Sequence, residues 1–325
     1  MSPTFRRVWL APFLGVILLV LLQQYVGRVG PLLSLRGAVA PWSTLFVGIV
    51  VQALPFLVLG VLVSGAIAAF LPKDLLARIT PRSPLLAVPT AGVAGMVLPG
   101  CECASVPVSQ SLMRRGLPQA AALAFLLAAP AVNPIVLVAT AVAFPGNPTM
   151  VWARLIASLL AVVTACWLWI ALGRQEWMRP QEGHRHDGVT KASVFRETVM
   201  HDLQQAGGFL VLGAAVAAAF KVLVPVGVLG FLSENPWFAV LAMALLAIVL
   251  SLCSEADAFV VSSFSSISPT AQLAFLVVGP MVDIKLFAMQ SGAFGVRFAT
   301  RFMPLTLVCC IVAAVMVGRL MFGQF

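Results

Sequence analysis

Seven apolar runs, each of about twenty residues or more, constrain this chain before any single residue does. At ~1.5 Å of rise per residue, each is long enough to cross roughly 30 Å of hydrocarbon as a helix. They fall at 8–26, 45–71, 120–144, 151–172, 205–224, 271–290 and 302–321. Backbone in hydrocarbon must satisfy its own hydrogen bonds, and runs of this length do so as helices, which predicts an all-α polytopic membrane fold. Composition agrees: 61% of the residues are apolar, only 10% are charged, and the mean hydropathy is +1.04. No stretch remains for a sizeable soluble domain. The net charge of +9 comes from short basic clusters beside the apolar runs, a pattern that orients helices in a membrane and points away from nucleic acid as a partner. Arg6 and Arg7 precede the first run, which lacks a small-residue cleavage pattern and reads as a retained helix.

Two further apolar stretches, 85–113 and 237–264, are interrupted by polar residues. In the first, Leu98-Pro99-Gly100-Cys101-Glu102-Cys103-Ala104-Ser105-Val106-Pro107 places two thiols and a carboxylate where hydrocarbon would otherwise lie. An ionisable group at that depth marks a functional position. Pro99 and Gly100 end one helix just before the thiols, which predicts the tip of a re-entrant hairpin. In the second stretch the interruption is Ser251-Leu252-Cys253-Ser254-Glu255-Ala256-Asp257.

The two interruptions are related by an internal repeat. Gln52-Ala53-Leu54-Pro55-Phe56-Leu57-Val58-Leu59-Gly60 matches the nine residues from Gln205 to Gly213 at seven positions. Leu123 to Asn133 matches Leu273 to Asp283 at an offset of 150 residues, and the same offset sets Cys103 opposite Cys253. Recurrence of glutamine, glycine, proline and cysteine, besides aliphatic residues, marks duplication rather than chance likeness of apolar helices. The chain therefore divides into an N-terminal helix outside the repeat (1–44), repeat 1 (45–173), a cytoplasmic linker (174–204) and repeat 2 (205–325). Lys73, Arg78 and Arg82 precede the first interrupted stretch, and Arg114 and Arg115 follow it, so a hairpin keeps both clusters on the inner side. With Lys285, Arg297 and Arg301 also inside, the chain has seven crossings, two opposed hairpins and an inverted duplication.

The Gly-Cys-x-Cys element, Arg114-Arg115-Gly116 and Ala128-Ala129-Pro130-Ala131-Val132-Asn133-Pro134 resemble the predicted-permease family of bacterial integral membrane proteins. That family includes ArsP-type permeases associated with efflux of trivalent organoarsenicals, and relatives linked to copper or zinc efflux. The resemblance covers nearly all the chain from about Leu45. It implies a permease of the bacterial cytoplasmic (inner) membrane and attaches substrate contact to the thiol and Asn-Pro positions.

If the two tips meet, Cys101, Cys103 and Cys253 form a soft-ligand set for trivalent arsenic or, with another ligand, for Cu(I) or Zn(II). Alternatively these cysteines pack a tight tip as small apolar residues. Cys166, Cys309 and Cys310 lie in plain apolar runs and read as packing residues. Glu102, Glu255, Asp257 and Asp283 are intramembrane carboxylates, candidates for carrying a coupling proton or cation; the alternatives are a helix cap for Glu102 and Glu255 and a charge pair with Lys285 within the bundle for Asp283. Asn133 and Pro134 break a helix and either line a polar path or kink the chain. Gln52 and Gln205 read as hydrogen bonds between helices. His184, His186 and His201 belong to the polar linker, so no intramembrane histidine offers a haem ligand, and no cofactor is expected.

These readings converge on a proton-coupled secondary transporter that exports a soft, thiol-reactive solute, and not on an enzyme. Its partners are membrane lipid and the small solute, with a homo-oligomer possible. The alternatives are a transporter of a small sulfur species or other anion, and a membrane thiol oxidoreductase using Cys101 and Cys103.

Overall fold

The structure is a computed structural model that describes residues 36–72, 80–81, 83–97, 101–173, 175–178, 190–223, 236–264 and 267–323. The run 8–26, the basic residues Lys73, Arg78 and Arg82, the Leu98-Pro99-Gly100 segment and the histidines His184 and His186 lie outside the described residues.

Among the described residues all regular structure is helical. In chain order the helices are α1 (Arg36–Phe70), α2 (Pro84–Gly95), α3 (Glu102–Arg114), α4 (Gln119–Val132), α5 (Pro134–Ala143) and α6 (Pro148–Leu172). After a 3-10 turn (Gln175–Trp177) come α7 (Lys191–Leu223), α8 (Pro236–Leu250), α9 (Asp257–Ser262), α10 (Pro269–Val278), α11 (Ile284–Phe294) and α12 (Val296–Phe322). Among the described residues, five segments are long and apolar enough to span a membrane: Val39–Phe70, Gln119–Ala143, Pro148–Leu172, Lys191–Ala219 and Val296–Phe322. This is an all-α, multi-pass membrane protein.

Two expected spans are remade by the structure. The run 271–290 is broken into α10 and α11, because Gly279-Pro280 stops the first helix and Asp283 caps the second. Helix α7 begins at Lys191, well before the apolar run at 205. Its polar first turns are anchored where Phe195 and Val199 pack on Gly65 of α1 and where Asp202 accepts hydrogen bonds from Ser64 (2.5 Å) and Arg114 (3.2 Å). Half of the expected linker is thus helix.

The framework is set by α1 against α7, antiparallel along their length. Trp42 donates to the Ala215 carbonyl near one end, Leu57 meets Gly207 in the middle, and Ser64 meets Asp202 at the other. Helices α6 and α12 pair likewise, with Trp169 stacking edge-on against both Phe298 and Phe302 at 5.2 Å. Against this frame the short helices form two hairpins. Leu85, at the start of α2, accepts a hydrogen bond from Trp167 near the end of α6, and Gln119, just after α3, reaches Met178 beyond that same end. The hairpin α2–α3 therefore enters and leaves on one face. In the second hairpin, Trp237 at the start of α8 lies under Arg319 at the end of α12. The residues after α9 return to that same end, since Gln272 donates to Phe264 and Thr270 packs on Gly318. As α6 and α12 are antiparallel, the hairpins open to opposite faces. Arg114, Arg297 and Arg301 mark the face of the first hairpin, hereafter the basic face.

The offset of 150 residues recurs in the elements themselves. Asn133 caps Val136 at the start of α5, and Asp283 caps Leu286 at the start of α11. Helices α6 and α12 end at Leu172 and Phe322.

Candidate functional site

The site lies where the hairpin tips meet. Helix α3 starts at Glu102 with Cys101 as its N-cap in extended backbone, and every residue from Cys101 to Ser111 is buried. A helix this polar is tolerated in the interior because Gly60 of α1 lets its backbone close directly on Ala104. Gly213 of α7 does the same for α11, where an added Cβ would stand 3.0 Å from both Ala288 and the Lys285 backbone. The glycines that end the repeated Gln-Ala motif are thus the points at which half-helices approach the frame.

The second tip is an irregular turn between α8 and α9. Ser251 adopts φ of +42°, a left-handed conformation that disfavours a side chain. It is held there by its own hydroxyl, which donates to the Ile248 carbonyl (2.9 Å) and accepts from the Ile284 amide (3.3 Å), the first residue of α11. The turn brings Cys253 to Cys101, and the Cys101 thiol interacts with both Cys103 and Cys253. All three cysteines are buried and reduced. Among the described residues, however, no group of three His, Cys, Asp or Glu side chains stands ready to enclose a metal ion. The thiols converge without forming a preformed cage.

Each tip carries an acid that is ion-paired with a base from the other half of the chain. Glu102 accepts from Lys285 at 2.8 Å. Lys285 also stands 3.5 Å from Asp283, and its charge acts on Cys103 and Cys253. Asp257, opening α9, receives both guanidinium nitrogens of Arg154, at 2.9 and 2.7 Å. Arg154 donates further to the Ser254 carbonyl (3.2 Å) and the Thr140 hydroxyl (2.8 Å). These four side chains are almost fully inaccessible, and buried charges of this kind persist only when paired and hydrogen-bonded. Glu255 is half-buried, with one oxygen unpartnered and no ion pair among the described residues.

Several expected residues take other positions. Lys285 is not a topology marker at the inner face; it is buried at the centre, because Glu102 and Asp283 attract it there. Asn133 caps α5, accepting from Val136 (3.0 Å), and donates to Ala129 (2.9 Å). Pro134 is exposed. Gln205 joins helices through the Gly292 carbonyl (2.9 Å), whereas Gln52 is exposed. Cys166 and Cys310 pack in the core, Cys310 against Met281, and Cys309 lines an apolar groove of about 250 Å³ between α6 and α12. Sequence reasoning missed Arg154 altogether. A lone arginine in the run 151–172 was the available signal, since such a residue in a transmembrane helix needs an acidic partner.

With this geometry in view, likeness to known proteins can be weighed. Residues 39–319 match the family model described as predicted permease. The chain is 37% identical over 282 residues to the UPF0718 protein YcgR of Bacillus subtilis, covering 84% of this chain and 94% of that protein. It is 34% identical over 295 residues to a Streptococcus mutans protein named as a subunit of a two-component membrane permease complex, covering 87% and 97%. No solved structure matches at a significant level. A chain of membrane-spanning helices that matches this family over most of its length, and whose two hairpins meet at a buried polar junction, belongs to the predicted-permease family of multi-pass bacterial membrane proteins.

Proposed function

We propose that this permease is a secondary transporter exporting a soft, thiol-reactive solute, taken up by Cys101, Cys103 and Cys253 where the opposed hairpins meet. The observation that carries the reading is the Cys101 thiol facing a neighbour on its own tip and one on the other tip. A trivalent organoarsenical, Cu(I) or Zn(II) fits soft sulfur donors. The absence of a ready-made cage among the described residues suits a transported solute, which must be released, better than a resident ion. Opposed hairpins, the antiparallel α1–α7 pair and matched caps at a 150-residue offset support an inverted repeat, the architecture in which one unit rocks against the other around a central site. The basic face would be cytoplasmic by the charge rule. Proton coupling would fall to the central carboxylates Glu102, Glu255, Asp257 and Asp283, three of which stand beside a buried base while Glu255 does not.

The anion reading is weakened at its proposed seat: the half-helix N-termini of α3 and α9 already hold the carboxylates Glu102 and Asp257. The oxidoreductase reading is weakened by the Cys-x-Cys spacing of Cys101 and Cys103, since thiol–disulfide couples more commonly use Cys-x-x-Cys.

The test is binding of trivalent methylarsenic, Cu(I) and Zn(II) to purified protein in detergent, with Cys101→Ser, Cys103→Ser and Cys253→Ser beside the wild type. Stoichiometric binding that each substitution abolishes is the expected result. Binding of none of the three probes by the wild type, or normal binding by all variants, would sink the proposal.

A further inference from the structure

We infer that the seam between α3 and α11 is the hydrated half of the permeation path, leading from the hairpin tips to the basic face, and that it admits water and an uncharged, hydroxylated solute. The inference rests on the proposed transport function and adds the route.

The two half-helices run parallel and in register. Glu102 pairs with Lys285 at their starts, and eight residues further along each, Gln110 donates to the Ala293 carbonyl at 2.9 Å. The seam is therefore about 12 Å long at ~1.5 Å per residue. Its α3 side carries the buried Glu102, Ser105, Ser109 and Gln110, with Val106 midway between Glu102 and Gln110; the Ser105 and Ser109 hydroxyls donate to the Glu102 and Val106 carbonyls (3.0 and 2.8 Å). Glu102 and Ser109, two turns apart, share one helix face. On α11, Met289 falls between Lys285 and Ala293 at helical spacing, with Gln290 beside it.

Polar atoms along this seam lack partners. Gln290 is 0% exposed, yet neither end of its amide has a hydrogen-bond partner among the described residues. The second oxygen of Glu102 is in the same state, and Oδ2 of Asp283 has only its ion pair with Lys285 at 3.5 Å. Leaving this many buried groups unpaired is costly unless water or solute meets them. Beyond the Glu102–Lys285–Asp283 cluster the polar lining is serine and glutamine, set beside Val106 and Met289, and it carries no net charge. Such a lining suits a neutral hydroxylated species and does not replace the hydration shell of a bare ion. At the basic face the mouth is closed by Asp202, which links Ser64 of α1 to Arg114 at the end of α3.

The equivalent seam in the other half is dry. Past Asp257, α9 presents Ala258 and Val261, and α5 presents Val136, all buried, with Thr140 the one hydroxyl and already engaged by Arg154. Unpartnered buried polar atoms also occur around the second tip, at Ser254, Glu255, Ser158 and Arg154 Nε, but among the described residues none lies along α9 or α5.

Accessibility tests the route. S109C and Q290C, with V136C and V261C as dry-seam controls and R297C as a surface control, are treated in oriented membrane vesicles with a membrane-impermeant thiosulfonate applied from either side. Peptide mass spectrometry separates each added cysteine from the native ones. Modification of S109C and Q290C from the basic-face side alone, with V136C and V261C inert, is expected. Because introduced cysteines can disturb a packed helix, radiolytic footprinting of the unmodified protein supplies a second readout: Met289 in the seam is oxidised faster than Met281, which packs against Cys310. Inert S109C and Q290C beside a reactive R297C, or Met289 no faster than Met281, overturns the route and leaves thiol binding standing. Labelling that trivalent methylarsenic, Cu(I) and Zn(II) all fail to block supports the route and removes the proposed solute.

Discussion

The two hairpin tips hold their acids in different ways. Asp257 sits in the fork of Arg154, with two hydrogen bonds to the carboxylate and two more from the same guanidinium to Ser254 and Thr140. Glu102 is held by the single ammonium of Lys285, which has a second carboxylate, Asp283, 3.5 Å away. A planar guanidinium fixes direction as well as charge, while an ammonium is a point charge that turns readily between neighbours. The second tip is therefore clamped to the first half of the chain, and the first tip is attached through a base that can be shared. The same contrast extends along the seams, polar beside the first tip and apolar beside the second.

Four changes would break or sharpen that comparison. The largest effect is expected from Asp257→Asn, which leaves the buried Arg154 without a carboxylate and should cost about 3–5 kcal/mol of stability. Thermal unfolding in detergent measures it, and Arg154→Met combined with Asp257→Met should recover most of the loss. A single substitution that is tolerated would show that the clamp is not structural. Glu102→Gln should cost less, about 1–3 kcal/mol, because Lys285 keeps Asp283 as a partner. If its loss equals that of Asp257→Asn, the two tips are held alike. Arg114→Ala at the rim leaves the buried Asp202 with Ser64 as a partner and is expected to cost about 1–3 kcal/mol, less than Asp257→Asn because Arg114 itself lies partly in solvent. Added salt should lower that cost, and an effect as large as that of Asp257→Asn would make the rim pair part of the clamp. Smallest is Asn133→Ala, which removes one helix cap and should lower stability by ~1 kcal/mol, whereas Asn133→Asp should retain the cap.

Much of the architecture was legible because hydrophobic length and spacing are local properties. The apolar runs, both interrupted stretches and the correspondence of Cys103 with Cys253 can be read without coordinates. The break at Asn133 is equally visible, because proline at a helix start leaves few alternatives. The burial of Lys285 was legible only in part: beside Arg297 and Arg301 it reads as another inner-face cation, beside Asp283 as half of a charge pair in the bundle, and its main partner, Glu102, lies 183 positions away. Arg154 was missed for the same reason, as its acid lies 103 positions on. Helix α7 was placed too short because its first turns are polar and are buried by α1 and α3 rather than by their own pattern.

By itself the sequence determined that this chain crosses a membrane as helices, that two polar interruptions are equivalent, and that thiols and carboxylates concentrate there. Those conclusions follow from the cost of unpaired backbone and charge in hydrocarbon, which acts on any short segment. Tertiary structure alone decided that the two tips meet, that each tip's acid is paired with a base of the other half, and that one seam carries more buried polar side chains than its counterpart. Each of these depends on groups far apart in the chain, whose approach is set by packing at Gly60 and Gly213 and by the pairing of buried charge.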